Sequence, residues 1–506
     1  MIRLSLLTLM LTILCIYSFK DWYRSLCGLI VLMAIIEHPD MPKTMLGVQG
    51  LNPWNISIFF VCVGWAVSRK RENLSFSQAP THIVILLLVY FIVITIGFFR
   101  LVADQLLLQE WNVTFFGEEE GFASQLSEMM INCLKWVVPG LLLFDGCKSR
   151  ERAYWGVIAV LLVYLLLAVQ VVRWMPLGGL TSGASLEDRS LKILANEIGY
   201  HRVNLAMLLA GGFWAIFCFR DLLPNKRHQV YIYIACAVVF LGLALTAGRM
   251  GYVTWVIIGG VLSILRWRRL IFLAPIPIIA ILILVPSTWE RLSSGFGGEN
   301  VDTNAAMEST MNTAGDEPHL YTITSGRTTA WPLVLDQIIA RPWIGHGREA
   351  MIRTGVAMGL WSTYGESFPH PHNAYLQWML DNGAVGFLPV LLFYLLMLKY
   401  SFTMFMDRSN SFMSGIGGIS FSLLLALLIA SMGSQSFYPR EGAVGMWCAM
   451  GIMLRVYTAR IRGGATFEID GAEVISESKA EVSPTTKPLW AKTREIKVGS
   501  FGKSQP

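Results

Sequence analysis

The chain has 506 residues, of which 54% are hydrophobic and only 15% charged, with a mean hydropathy of +0.53 and a formal net charge of +6. A soluble domain carries about 25% charged residues, so this composition excludes a string of soluble domains. It predicts an all-α, polytopic transmembrane bundle with no nucleic-acid partner.

Apolar runs set the elements. A bilayer core takes about 20 apolar residues per helix. In chain order the candidate spans are 4–19, 25–37, 55–68, 83–99, 126–145, 153–172, 204–219, 230–247, 252–265, 270–286, 385–404, 413–433 and 442–457, some 12 to 13 crossings. Leu4–Phe19 lacks a small-residue cleavage site and reads as a retained first span rather than a signal peptide. The domain plan is helices over 1–286, a polar insertion over 287–384, helices over 385–458 and a tail over 459–506. The tail is rich in Ser, Thr, Lys and Glu and predicts disorder. The eight cysteines lie in or beside apolar runs with no CxxC pair, so neither disulfides nor a cysteine metal site is expected.

Basic residues recur in alternate connections: Lys20/Arg24, Arg69-Lys70-Arg71, Lys148/Arg150/Arg152, Arg220/Lys226/Arg227, Arg266/Arg268/Arg269, Lys399/Arg408 and Arg455/Arg460/Arg462. The positive-inside rule assigns these to the cytoplasm. The other connections then face the opposite side, read as the periplasm. They include 100–125 with Glu118-Glu119-Glu120, 173–203, the Gly248–Gly251 turn, the 287–384 insertion and Tyr438–Glu441. This alternation, drawn without any motif, collects Arg202, Arg249, Arg327, Arg440, His370 and His372 on one side.

Inside the insertion, 293–324 has no period and reads as a mobile loop. Trp331, Val334, Leu335, Ile338 and Ile339 follow helical spacing and predict an amphipathic helix ended by Arg341-Pro342. Gly345 and Gly347 mark a turn, and 373–381 predicts a short helix stopped by Asn382-Gly383. Such helices beside spans lie in the membrane interface.

Pro369-His370-Pro371-His372-Asn373 puts two imidazoles and an amide at the mouth of a span. Histidine exchanges protons near neutrality, so His372 reads either as a general base or orienter, or as an interfacial structural histidine. Arg249 and Arg327 read either as arginines snorkelling to headgroups or as planar forks that clamp phosphate. Ser325-Gly326 before Arg327 would add helix N-terminal amides to such a clamp. His370 and His372 form an HxH pair, but no further ligand lies close in sequence, so no metal is expected. There is no DxD motif, no P-loop and no dinucleotide fingerprint, and no cofactor is expected.

In order, the chain reads Thr246-Ala247-Gly248-Arg249, then Ser325-Gly326-Arg327 with Trp331, then Arg341-Pro342-Trp343-Ile344-Gly345-His346-Gly347. His370-Pro371-His372-Asn373-Ala374-Tyr375-Leu376-Gln377 and Asn382-Gly383-Ala384-Val385-Gly386 follow. Over about 240–400 this order resembles the bacterial O-antigen ligase and O-antigen polymerase superfamily. Asn382-Gly383 departs from the Leu-Gly often found there, and 293–324 is expanded. The resemblance implies a metal-independent membrane glycosyltransferase whose donor is a glycan on undecaprenyl pyrophosphate. The acceptor would be a glycan, glycolipid or protein, and membrane lipids would surround the site. It implies catalytic roles for His372, Arg327 and Arg249; by residue chemistry Arg202 and Arg440 read as further phosphate candidates, and His370, Asn373 and Trp331 are expected at the substrate. A ligase and a polymerase share this chemistry. A lipid-glycan flippase is the non-enzymatic alternative, but no internal duplication of the kind common in transporters is visible.

Overall fold

In a computed structural model, residues 2–45, 50–117, 120–175, 183–223, 225–273, 275–293, 327–365, 368–433 and 436–461 are described. They belong to one unit within Met1–Glu468. The expected loop 293–324, with Ser325-Gly326, falls outside the described residues apart from Ser293. The tail after Ile461 and Glu118-Glu119 fall outside them as well.

Among the described residues the chain is helical and contains no β-strand. The first half runs α1 (Ile2–Tyr17), α2 (Trp22–Leu32), α3 (Pro53–Ser68), α4 (Thr81–Ala103), α5 (Leu106–Phe116), α6 (Phe122–Gly146), α7 (Arg150–Trp174), α8 (Gly183–Glu197), α9 (Arg202–Phe219), α10 (Lys226–Leu245) and α11 (Arg249–Leu265). The second half runs α12 (Arg269–Leu273), α13 (Pro275–Leu284), α14 (Ser287–Ser293), α15 (Arg327–Ala340), α16 (Ala350–Arg353), α17 (Val356–Tyr364), α18 (Ala374–Phe405), α19 (Ser411–Ala430) and α20 (Val444–Ile461).

Local sequence explains many of the starts. Asp21, Asn52, Ser149, Asn225, Asn373 and Asn410 each accept a backbone N–H from the first turn of the helix that follows, as short polar N-caps do.

Eight helices of the described residues are long and apolar enough to cross a membrane: α4, α6, α7, α9, α10, α18, α19 and α20. The chain is a multi-pass membrane protein. The other five expected spans correspond to shorter apolar helices: α1, α2, α3, α11 and the stretch beginning at α12. Sixteen residues, the length of α1 and of α3, rise about 24 Å, short of the roughly 30 Å hydrocarbon core. Small residues let the long helices touch. A Cβ on Gly451 of α20 would lie 2.0 Å from the Gly140 carbonyl of α6, the backbone approach favoured where no hydrophobic force separates helices from lipid.

The basic connections meet at one end. Arg24 pairs with Glu151 at 2.9 Å, Arg152 with Glu72 at 2.7 Å, and Arg460 with Asp407 at 2.6 Å. Arg266 reaches the Phe405 carbonyl at 2.7 Å, and Tyr154 donates to the Leu222 carbonyl at 2.9 Å, tying the two halves of that network. The connections without basic clusters meet at the opposite end, where the candidate site lies.

The helices α5, α8, α14 and the pair α16–α17 lie inside connections for which no helix was expected. The amphipathic helix is present as α15, but its apolar stripe divides. Ala330, Val334 and Ile338 are buried, whereas Leu335 is 46% and Ile339 73% exposed. Trp343 and Ile344 are 69% and 62% exposed beyond its end. One flank of α15 packs on the protein and the other is left for lipid, consistent with a helix in the interface.

Candidate functional site

The histidine loop is held from three sides. Asn373 caps α18, its Oδ1 accepting the N–H of Tyr375 at 3.0 Å and of Leu376 at 3.2 Å. The Trp331 indole donates to the Pro371 carbonyl at 2.9 Å. Ala374 N–H donates to the Ser431 carbonyl at 2.8 Å. Between these ties His372 takes φ +51°, the left-handed region that non-glycine residues rarely enter. Strain of this kind persists only where surrounding structure imposes it, and it gathers at functional sites. The result sets the two imidazoles 4.4 Å apart, centroid to centroid.

Arg327 opens α15 directly over this loop. Its Nη2 donates to the Gly433 carbonyl at 3.0 Å, while its buried Nε has no hydrogen-bond partner among the described residues. Gly433 sits against Met250, next to Arg249 at the start of α11: a Cβ on Gly433 would lie 2.9 Å from the Met250 Cγ. Arg249 is close enough that burial and its charge together lower the pKa of Arg327. Buried Arg202 donates to the Ala247 carbonyl at 2.9 Å and forms an ion pair with Glu187. Ala247 has φ +56°, so Arg202 fixes the strained turn that starts α11.

Arg327, Arg249, Arg202 and Arg440 gather at this end, where Glu187 pairs with Arg202 and also acts on Arg249. Burial, then the charge of Arg327, lowers the His372 pKa from 6.5 to about 4, with His201 acting in the same direction. Burial, then His372 and Arg440, lowers that of His370 to about 3. Both rings are therefore neutral at pH 7 and able to accept a proton. An arginine cluster beside a neutral imidazole, with the Arg327 Nε unpartnered among the described residues, suits an anionic leaving group and a hydroxyl that must lose its proton.

Of the residues singled out in the sequence, Arg327, Arg249, His370 and His372 share this end, and exposed Arg440 lies beside His370. Asn373, Trp331 and Arg202 do as well, but with their polar groups engaged in a cap, a tether and an ion pair. Three contributors were not visible in the sequence reading: His201, Glu187 and the Gly433 carbonyl. His201 directly precedes Arg202, and that adjacency was the available signal. Among the described residues no group of three or more His, Cys, Asp and Glu side chains is arranged to hold a metal ion.

The Arg341–Gly347 and Asn382–Gly386 motifs turn out to bind each other. His346 and Gly347 donate to the Leu380 and Asp381 carbonyls at 2.8 and 2.7 Å, and Ala384 and Val385 donate to the Pro342 and Trp343 carbonyls at 2.8 and 3.1 Å. Gly383, at φ +61° and ψ −173°, kinks α18 at this dock. The expected stop after residue 381 is thus real, but a second helical segment resumes immediately. Arg100 clasps the dock from α4, donating to the Ile344 and Gly345 carbonyls at 2.6 and 2.8 Å. Beneath it, buried Asp381 accepts from Tyr438 Oη at 3.0 Å and from Ala350 N–H at 3.2 Å.

Beside the histidine loop, and sharing Arg440 with it, a cavity of about 560 Å³ opens among residues of the α2–α3 connection, α6 and the segment before α20.

Residues 234–391 match the family model described as O-antigen ligase. The matched stretch holds Arg249, Arg327, His370 and His372, and leaves Arg202 and Arg440 outside. No curated protein matches the chain.

Proposed function

The chain belongs to the O-antigen ligase superfamily through residues 234–391, and from that premise we propose that it moves a glycan from undecaprenyl pyrophosphate to an acceptor hydroxyl. The family match supports a membrane glycosyltransferase-like function in polysaccharide biosynthesis. The observation that carries the finer one is the convergence of Arg327 and Arg249 beside the neutral imidazole of His372.

In this scheme the two guanidinium groups take the pyrophosphate oxygens, each able to present a bidentate fork. His372 accepts the proton of the incoming hydroxyl. The hydroxyl oxygen bonds to the anomeric carbon, the carbon–oxygen bond to pyrophosphate breaks, and the configuration inverts. With the site empty, an imidazole of pKa about 4 is a weak base. Burial is the larger cause of that weakness and Arg327 the second; the donor's negative charge on Arg327 offsets that second part and would stabilise the imidazolium. Binding of donor thereby arms the base. His370, at ring-contact distance, keeps the imidazole in place, and Arg202 acts as a positioning residue for the Arg249 turn. The site end is assigned to the periplasm, because the opposite end gathers the basic connections. The family match favours ligation. Polymerisation would follow the same steps with a second lipid-linked glycan as acceptor.

The test is reconstitution of the purified protein in nanodiscs with a lipid-linked glycan and candidate acceptors, following product and released undecaprenyl pyrophosphate. Wild type should transfer in EDTA. His372→Ala should lose on the order of 10²–10⁴ in rate. Arg327→Lys and Arg249→Lys should each lose roughly 10²–10³, because an ammonium lacks the planar fork. Full activity of His372→Ala, or EDTA inhibition reversed by zinc, would overturn the scheme.

A further inference from the structure

The cavity beside the histidine loop takes no part in the phosphate and proton chemistry above, yet its walls are unusual for a membrane protein. It measures about 560 Å³, within the range of small-molecule sites. Its four basic residues are matched by four acidic ones. That balance argues against a dedicated anion or cation pocket. What the walls offer instead is a mixture of donors and acceptors around an aromatic corner. Trp54 and Trp136 meet there edge to face, with centroids 4.6 Å apart, and the Lys135 ammonium sits 4.4 Å from the Trp136 centroid.

A second observation points to a ligand. Trp54 is 2% exposed, and its indole N–H has no hydrogen-bond partner among the described residues. A buried donor left unmade costs its full desolvation, so such groups are normally satisfied. Here the donor belongs to a residue that lines an open polar cavity. Across the same space Glu37 is half-buried, and burial together with the nearby Glu441 carboxylate pushes its pKa up to about 7. A carboxyl group poised between its two forms can donate or accept.

Hydroxyl-rich ligands need this combination. Each sugar hydroxyl both donates and accepts. We propose that this cavity is a sugar-binding subsite, which holds a residue of the transferred glycan or of the acceptor next to the reacting centre. The inference rests on the transferase reading above. Position supports it: Arg440 lines the cavity and also lies beside His370. Most of the wall comes from outside residues 234–391, where sugar selectivity can vary without touching the shared chemistry.

The experiment uses full-length protein in nanodiscs and two readouts. Saturation-transfer NMR with glucose, galactose and N-acetylglucosamine as probes should detect binding of at least one sugar to wild type and to His372→Ala. Thr44→Trp, which fills the cavity from an exposed rim position, should abolish it. Trp54→Phe, which keeps the packing and removes the N–H, should weaken it several-fold. In transfer kinetics both variants should raise one KM several-fold with kcat unchanged. A rise in the donor KM assigns the cavity to the donor's sugar, and a rise in the acceptor KM assigns it to the acceptor. Active variants with both KM values unchanged and sugar signals insensitive to Thr44→Trp would overturn the subsite. If wild type bound sugar in the cavity but transferred nothing, the transferase reading would fail and the subsite would stand.

Discussion

At the scale of single residues, His372 shows how a neighbour sets a role. The same imidazole would read as a solvated histidine at an ordinary loop. Here burial and Arg327 hold it neutral, at a pKa of about 4. The sign of the consequence can be worked out. Protonation below the pKa removes the base, so activity is lost on the acid side. The profile of kcat/KM reports the free enzyme and kcat reports the loaded one. If donor charge offsets Arg327, the acid limb of kcat should lie at higher pH than that of kcat/KM, which should persist toward about pH 4. Initial rates at saturating and limiting donor between pH 4 and 8 check this. Coincident limbs would mean that the donor leaves His372 electrostatically untouched.

Among elements, the kinked α18 and the segment before α16 carry the argument. The prediction is that Gly383→Ala disrupts both stability and transfer. A Cβ there would meet the Trp343 carbonyl carbon at 2.3 Å, at a φ of +61°. Strain of this class costs on the order of 1–3 kcal/mol before any clash is counted. A thermal melt matching wild type would show that the dock can be opened freely. This element also marks the limit of what sequence conveys. Apolar runs located the long helices, because burial in lipid leaves a local signature. The helix α15 was legible from its period. The division of its stripe between protein and lipid was not, since both environments select the same side chains. The mutual docking of 341–347 and 382–386 was equally invisible, because its bonds run between main-chain atoms that every residue type possesses. His201 and Glu187 were missed for a related reason: their importance comes only from what α9 brings near.

For the whole molecule, alternation of charge translates into two ends, one gathering the basic connections, the other holding the candidate site. Single-cysteine labelling in intact cells, with native cysteines removed, should separate them. Exposed Glu110→Cys should react with a membrane-impermeant maleimide, and exposed Ser409→Cys should react only after permeabilisation. The reverse pattern would turn the bundle over and take the proposed donor side with it.

The main-chain dock between the Trp343 and Leu380 neighbourhoods has one more consequence, which concerns the order in which the protein is made. Its two sides, His346 and Leu380, are 34 residues apart (380 − 346), whereas the Arg100 clasp joins residues 244 apart. Closing a loop costs entropy that grows with its length. The dock can therefore close as soon as the chain has emerged through α18, before α19 and α20 exist, and it can wait there with its carbonyls turned toward Arg100. The last two helices then arrive against a hairpin already set in register. The turn at Ser431 and Gly433 receives Ala374 and Arg327 only at that late step. A nascent chain that stops short of α19 would carry the histidine loop without its seat, so that site assembly is tied to complete synthesis.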